Sequence, residues 1–328
     1  PTYNFTDNNK IYNLDLVSSF AEGSDGTLWI GMDGNGLYRI KPDGSITYYN
    51  DNSGHNLESN NITDIELDAA GNLYVSTWGS GLKYLEAGTN YFTNLELILT
   101  ESRTSKLFNL ILDSKDRLWV NNYQNGFEII DTKTRKNLRF SSGGEKYLGS
   151  DKFHGIAEDQ FGNIWLGSSN NGITRVSIDD QLNIVDLKSL QELSESTQLT
   201  ECIISSIYAA SDGKIWIGTR SKGLFYYDSK SLQTHLITDK VKLPSNNIYS
   251  INEDENGNIW AGTNKGLIRL NPETLELDHF QKSDGLQSNE FFKNSSFKSK
   301  SGQLYFGGIS GFNSFYTDEF ILNAKKQF

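Results

Sequence analysis

Four sets of side chains in this sequence have the chemistry to act: scattered histidines, recurring acids, one basic stretch, and polar and aromatic residues in loops. The histidines are His55, His154, His235 and His279. Their spacing gathers no metal-ligand set, so neither a metal nor any other cofactor is expected. Acids recur as Glu22, Glu158, Asp159, Glu253 and Asp254. Glycoside hydrolysis would need such carboxyls to face each other about 5 to 10 Å apart. Each of these instead precedes a turn, and accepting hydrogen bonds from turn backbone is the simpler role. The basic stretch KTRKNLR, residues 133–139, reads by default as a solvated face, with a site for a sulfated or uronic-acid glycan as the alternative.

Those residues take meaning only from the elements that carry them, and a repeat sets those elements. A turn, a branched apolar residue, an aromatic, a polar loop and a Gly recur seven times, from DGTLWIGMDGNGL (25–37) to GQLYFGGISGF (302–312). The marker aromatics are Trp29, Tyr74, Trp119, Trp165, Trp216, Trp260 and Tyr305, at successive spacings of 45, 45, 46, 51, 44 and 45. Runs of four to six β-branched and aromatic residues bounded by Gly, Asn, Asp and Ser are strands. Four fit each period; in the sixth they are expected at 248–253, 258–262, 266–271 and 277–281.

Such sheets are apolar on both faces, as in Ile215-Trp216-Ile217, so each needs a neighbour on either side. The expected fold is therefore an all-β, seven-bladed β-propeller of four-stranded antiparallel blades. An open solenoid would need capping repeats, and none is visible. The last repeat runs out after its third strand, while the chain opens on YNFT (3–6), similar to the fourth strand ITYYN (46–50). Residues 1–8 are expected to complete blade seven and close the ring, making 1–328 one domain. The long fourth interval holds LKSLQELSES (187–196), which reads equally as a short helix or a surface loop.

In a propeller the loops between second and third strands, and the connections entering each blade, converge on one face around the channel. The candidate ligand-binding residues there are Asp33, Asn35, Trp78, Asn122, Tyr123, Ser169, Asn170, Arg220 and Asn264, with Asn61, His154 and Asn247 on the incoming connections. Trp78 and Tyr123 offer flat surfaces to a sugar ring, and Arg220 suits a carboxylate or sulfate. The marker aromatics, fixed in the second strands, belong to the core between blades. No catalytic residue and no metal ligand is assigned.

Composition narrows the classes further. The 328 residues carry a net charge of -11 and a pI near 4.9, which disfavours nucleic acid. No apolar run reaches the roughly 20 residues of a spanning helix, and mean hydropathy is -0.51. The single Cys202 excludes an internal disulfide framework. A chain that opens at Pro1, with Met32 its only methionine, reads as part of a longer protein.

The blades NGNIWAGTNKGLIRLNPET (256–274) and SDGKIWIGTRSKGLFYYD (211–228) resemble the two-component regulator propeller repeat. The likeness covers all seven repeats and is weaker in blade three, where Asn121 and Asn122 replace the usual Gly-Thr. It implies a non-catalytic extracytoplasmic sensor module of a hybrid two-component system, periplasmic and part of an inner-membrane receptor. The implied ligand is a glycan-derived oligosaccharide, and the implied output is control of polysaccharide-utilisation genes. Residues 283–320 resemble the end of the second of two propellers in such sensors, so residues from about 318 to 328 should lead into a downstream domain. The implied partners are that domain, a neighbouring propeller and a second receptor copy in a homodimer. Two alternatives stand beside this reading. A propeller lyase or glycan-cleaving enzyme is one, since streptogramin-inactivating lyases carry similar blades; their likeness implies a catalytic His and acid with magnesium, for which only His154 is placed. A purely structural dimerisation scaffold is the other.

Overall fold

The computed structural model describes residues 6–7, 10–11, 15–96, 106–123, 125–140, 148–193 and 199–325. These form a seven-bladed β-propeller, with four antiparallel strands in each of blades one to six and three in blade seven. Blade six has strands Ile248–Glu253, Ile259–Thr263, Gly266–Leu270 and Leu277–Phe280, within a residue of expectation. Its second strand is buried from end to end, because a sheet sandwiched between two neighbours has no solvent face.

The marker aromatics fill the gaps between blades. All are buried except Tyr305, which is half-buried against Phe20 at 5.6 Å. In three blades one aspartate fixes both the ring and the turn before it. The indole N–H groups of Trp119, Trp165 and Trp260 each donate to Asp113, Asp159 and Asp254 at 2.9 Å. The same carboxylates accept backbone N–H groups of the following turn, as Asp254 does from Asn256 and Asn258. The glutamates do something the sequence reading did not separate from this. Glu158 accepts from the N–H and hydroxyl of Ser114 in blade three, and Glu253 from those of Ser211 in blade five. Each glutamate thus ties its blade to the turn of the preceding one.

That tie also closes the ring: Glu22 of blade one accepts from the Lys300 N–H of blade seven at 2.9 Å. A second belt runs along the opposite face, where the Gly opening a third strand donates to the incoming connection of the next blade. Gly36 donates to Asn60, Gly223 to Asn246, Gly266 to Asn289 and, across the seam, Gly311 to Asp15, at 2.6 to 2.9 Å. Gly266 shows why glycine is required. Its φ is +115°, and a Cβ there would lie 2.1 Å from the Phe280 carbonyl oxygen.

Most of the expected closing strand, residues 3–6, lies outside the described residues. Thr6–Asp7 pairs with Lys10–Ile11 in a two-stranded sheet of its own. Of the 187–196 segment, residues up to 189 end the strand Ile184–Ser189 and Leu190–Leu193 form a single helical turn, while 194–196 lie outside the described residues. After blade seven, helix Thr317–Lys325 places Phe320 against Phe315 and Phe280, with ring centroids 4.4 and 5.0 Å apart.

Candidate functional site

First strands line the axis of the ring, and the space between them forms two chambers. One, of about 530 Å³, lies towards the hairpin turns and is walled by first-strand residues of all seven blades, from Ser19 to Lys298. The other, of about 450 Å³, lies towards the loops and is walled by Asp33, Asn61, Ile62, Thr63, Trp78, Phe108, Asn109, Phe292, Lys293 and Asn294. Only Asn109 and Asn294 line both.

Asn294, which lines both, is placed by an irregularity of blade seven. First strands commonly carry a one-residue bulge: between Val17↔Met32 and Ser19↔Gly31 two steps on one strand face one on its partner. In blade seven, between Phe291↔Gly308 and Ser296↔Phe306, five steps face two. The surplus turns Asn294 to a positive φ of 53°, and its side-chain amide donates to the His154 carbonyl of blade four at 2.6 Å. A blade-seven side chain thereby reaches blade four.

The loop-side chamber has an aromatic wall. Trp78 and Tyr123 have ring centroids 5.1 Å apart, Tyr123 and Phe108 6.3 Å, and the edge of His154 meets Phe108 at 5.3 Å. The Lys106 ammonium lies 5.2 Å from the Trp78 ring centre. His154 is buried, and its Nε2 is 2.6 Å from the Ser169 hydroxyl. Burial first, then the charges of Arg220 and Lys293, push its pKa down to about 4, so the imidazole is neutral at pH 7. Burial and the neighbouring Arg220 also push the Lys293 ammonium below its usual range.

The turn-side chamber has the opposite character. Its wall includes Glu22, Asp64, Glu66 and Glu158 against Lys298. Burial pushes Asp64 up to about 7, although its carboxylate accepts the N–H groups of Leu110 and Ile65. Burial and then the charge of Asp64 raise Glu66 well above the carboxylate range.

Of the sequence-derived candidates, Asp33, Asn61 and Trp78 line the loop-side chamber, and Tyr123, His154 and Ser169 adjoin it through the contacts above. Arg220 is half-buried beside His154 and Lys293. The other five are engaged in loop hydrogen bonds. Asn35 donates to Asp15, and Asn122 accepts weakly from Asn125. Asn170, Asn247 and Asn264 accept from Ser150, the Ser221 N–H and Ser245 respectively. Sequence reading missed Phe108, Phe292, Lys293 and Asn294. A signal was present: His154, Phe108 and Phe292 each directly follow the apolar residue that opens a first strand, and only the histidine had been noticed.

A magnesium-assisted role for His154 does not fit its surroundings. The charged groups acting on it are both cations, and among the described residues no group of three His, Cys, Asp or Glu side chains could hold a metal ion.

Fold and chamber together define a β-propeller with an asymmetric, aromatic-walled cavity at one end of its channel. Four stretches of the chain, residues 56–79, 147–170, 198–221 and 242–265, match the model of the two-component regulator propeller family. The chain is 26% identical over 337 residues to histidine kinase P4 of Formosa agariphila, covering 98% of this chain and 24% of the kinase. The extracellular domain of a hybrid two-component system from B. thetaiotaomicron superposes with a TM-score of 0.79 at 25% identity, over 95% of this chain and 40% of that one. A streptogramin B lyase shares the fold, with a TM-score of 0.67 at 13% identity over 92% of this chain and 94% of the lyase. The chain spans about a quarter of the kinase and two fifths of the hybrid-system domain. No helix among the described residues is long and apolar enough to cross a membrane.

Proposed function

We propose that this chain is a non-catalytic sensor propeller of a periplasmic two-component receptor, and that its loop-side chamber seats a glycan-derived oligosaccharide. The observation that carries the reading is the wall of Trp78, Phe108 and Phe292 around a 450 Å³ cavity, rimmed by polar Asp33, Asn61 and Asn294. Flat apolar faces stack on the C–H face of a sugar while the rim takes its hydroxyls. In the parent receptor, occupancy would be passed through the neighbouring propeller and downstream domain of a homodimer to polysaccharide-utilisation genes. The hybrid two-component ectodomain among the similar structures supports this placement.

A thermal-shift and calorimetric screen of neutral and acidic oligosaccharides tests the proposal. A ligand present at 100 times its Kd stabilises the folded chain by about 2.7 kcal/mol, and the sugar should be recovered uncut. No stabilisation by any member of the screen, or cleavage that His154→Ala abolishes, would sink the reading.

A further inference from the structure

The oligosaccharide reading leaves the charge of the ligand open, and two side chains bear on it. Lys293 lines the loop-side chamber, next to the Asn294 that reaches across to the His154 carbonyl. Arg220 ends the second strand of blade five, Lys214–Arg220, outside the lining itself; it is half-buried, with its Nε shielded from solvent and without a hydrogen-bond partner, and its charge acts on both His154 and Lys293. Neither side chain makes an ion pair or a hydrogen bond among the described residues. That sets them apart from Lys83, paired with Glu58 and Asn94, and Arg117, paired with Asp113, the fully buried basic side chains among the described residues. Asp33 is the acid among the lining residues; it is exposed, on the neighbouring blade one, and makes no ion pair with either cation among the described residues.

Two half-buried cations near one another repel, and each has lost hydration without a counter-charge to replace it. Such an arrangement is destabilising in the free protein. It becomes favourable when an anion enters between the cations, because charge-assisted hydrogen bonds then replace the lost hydration. The neighbouring groups are arranged for that outcome. His154 is neutral, so it adds a polar edge without a third full charge, and Trp78 and Phe108 line the same cavity from blades two and three.

We infer that the loop-side chamber selects an acidic saccharide, with Lys293 and Arg220 receiving the carboxylate of a uronic acid or a sulfate ester while Trp78 and Phe108 stack on the sugar. This inference rests on the chamber being the ligand seat. Arg220 provides the planar fork for two oxygens of one anionic group, and Lys293 provides a point charge.

The test is calorimetry of the chain with three size-matched probes: oligogalacturonides, carrageenan oligosaccharides and neutral galacto-oligosaccharides. At least one acidic probe should bind ten-fold or more tightly than the neutral probe, weakening several-fold as salt rises from 50 to 500 mM. The probe that binds distinguishes carboxylate from sulfate. Lys293→Gln and Arg220→Gln should each lose about ten-fold in affinity for it, while Lys293→Arg retains most. Free Lys293→Gln should melt at or above the wild-type temperature, because it removes an unpaired charge; a merely structural lysine would lower it. Equal binding of neutral and acidic probes, or acidic binding indifferent to both substitutions, would overturn the inference and leave the oligosaccharide seat standing. If none of the three probes binds, the seat itself falls, and this inference with it.

Discussion

The two halves of the channel are built from the same seven first strands yet differ in symmetry, charge and response to pH. The turn-side chamber takes residues from every blade and is acidic. The loop-side chamber takes residues from blades one, two, three and seven, and Lys293 is its half-buried charged lining residue. The lesson is that a repeat supplies a cavity automatically, whereas a distinctive cavity needs residues that depart from the repeat. The extended bulge of blade seven and the aromatics Trp78, Phe108 and Phe292 are such departures.

The largest test removes both chambers at once. A Cβ on Gly307 would lie 2.7 Å from the Val17 carbonyl of blade one and 2.0 Å from the Ser295 hydroxyl. Gly307→Ala should therefore strain the blade seven to blade one seam by about 3 kcal/mol. Urea unfolding checks this; an unchanged midpoint would mean that the seam does not carry the ring.

The opposite pH responses come next. Asp64 has a folded pKa above its unfolded one, so its contribution is full in acid and fades as pH rises from about 4 through about 7. His154 is depressed from 6.5 to about 4, so its contribution is full above pH 6.5 and is lost as pH falls through that window. Allowing for water in the channel, each is worth about 1 to 2 kcal/mol. Melting temperature against pH should show Asp64→Asn flattening the decline on the alkaline side and His154→Gln the decline on the acid side. If both variants flatten the same limb, the electrostatic contrast between the chambers is wrong.

Binding should discriminate the chambers as well. Trp78→Ala is expected to cost at least ten-fold in oligosaccharide affinity, about 1.4 kcal/mol, while Tyr208→Phe, on the turn-side wall, costs nothing measurable. Parallel titrations of the two variants decide which chamber holds the ligand. The smallest effect belongs to Asn294, which lines both chambers. Asn294→Gly relieves a positive φ and loses one hydrogen bond, two terms of about 1 kcal/mol that largely cancel. Chemical denaturation should find it within about 0.5 kcal/mol of wild type; a loss above 2 kcal/mol would make the link from blade seven to blade four a brace of the ring.

Much of this was legible in the residues. Turn chemistry and the alternation of branched and aromatic residues are local, so blade six was placed nearly residue by residue, and the marker tryptophans were recognised as core. The candidate site was legible in part. Loop position directs attention to Trp78 and Asp33, which line the chamber, but it cannot tell Trp78 from Asn264, held by Ser245. Asn35 and Asn170 are likewise engaged by partners 20 residues away, and such pairings depend on how loops of a folded blade meet.

What the sequence determined by itself was the repeat: seven blades, their strands, their turns and the aromatics between them, because each follows from interactions within about ten residues. Tertiary structure alone decided that the two ends of the channel differ in lining and in charge. Asn294 meets His154 across 140 residues of chain, and Arg220 finds Lys293 from another blade. Whether a charge is paired, buried or left waiting depends on the closed ring, where residues remote in sequence become neighbours in a medium that screens them poorly.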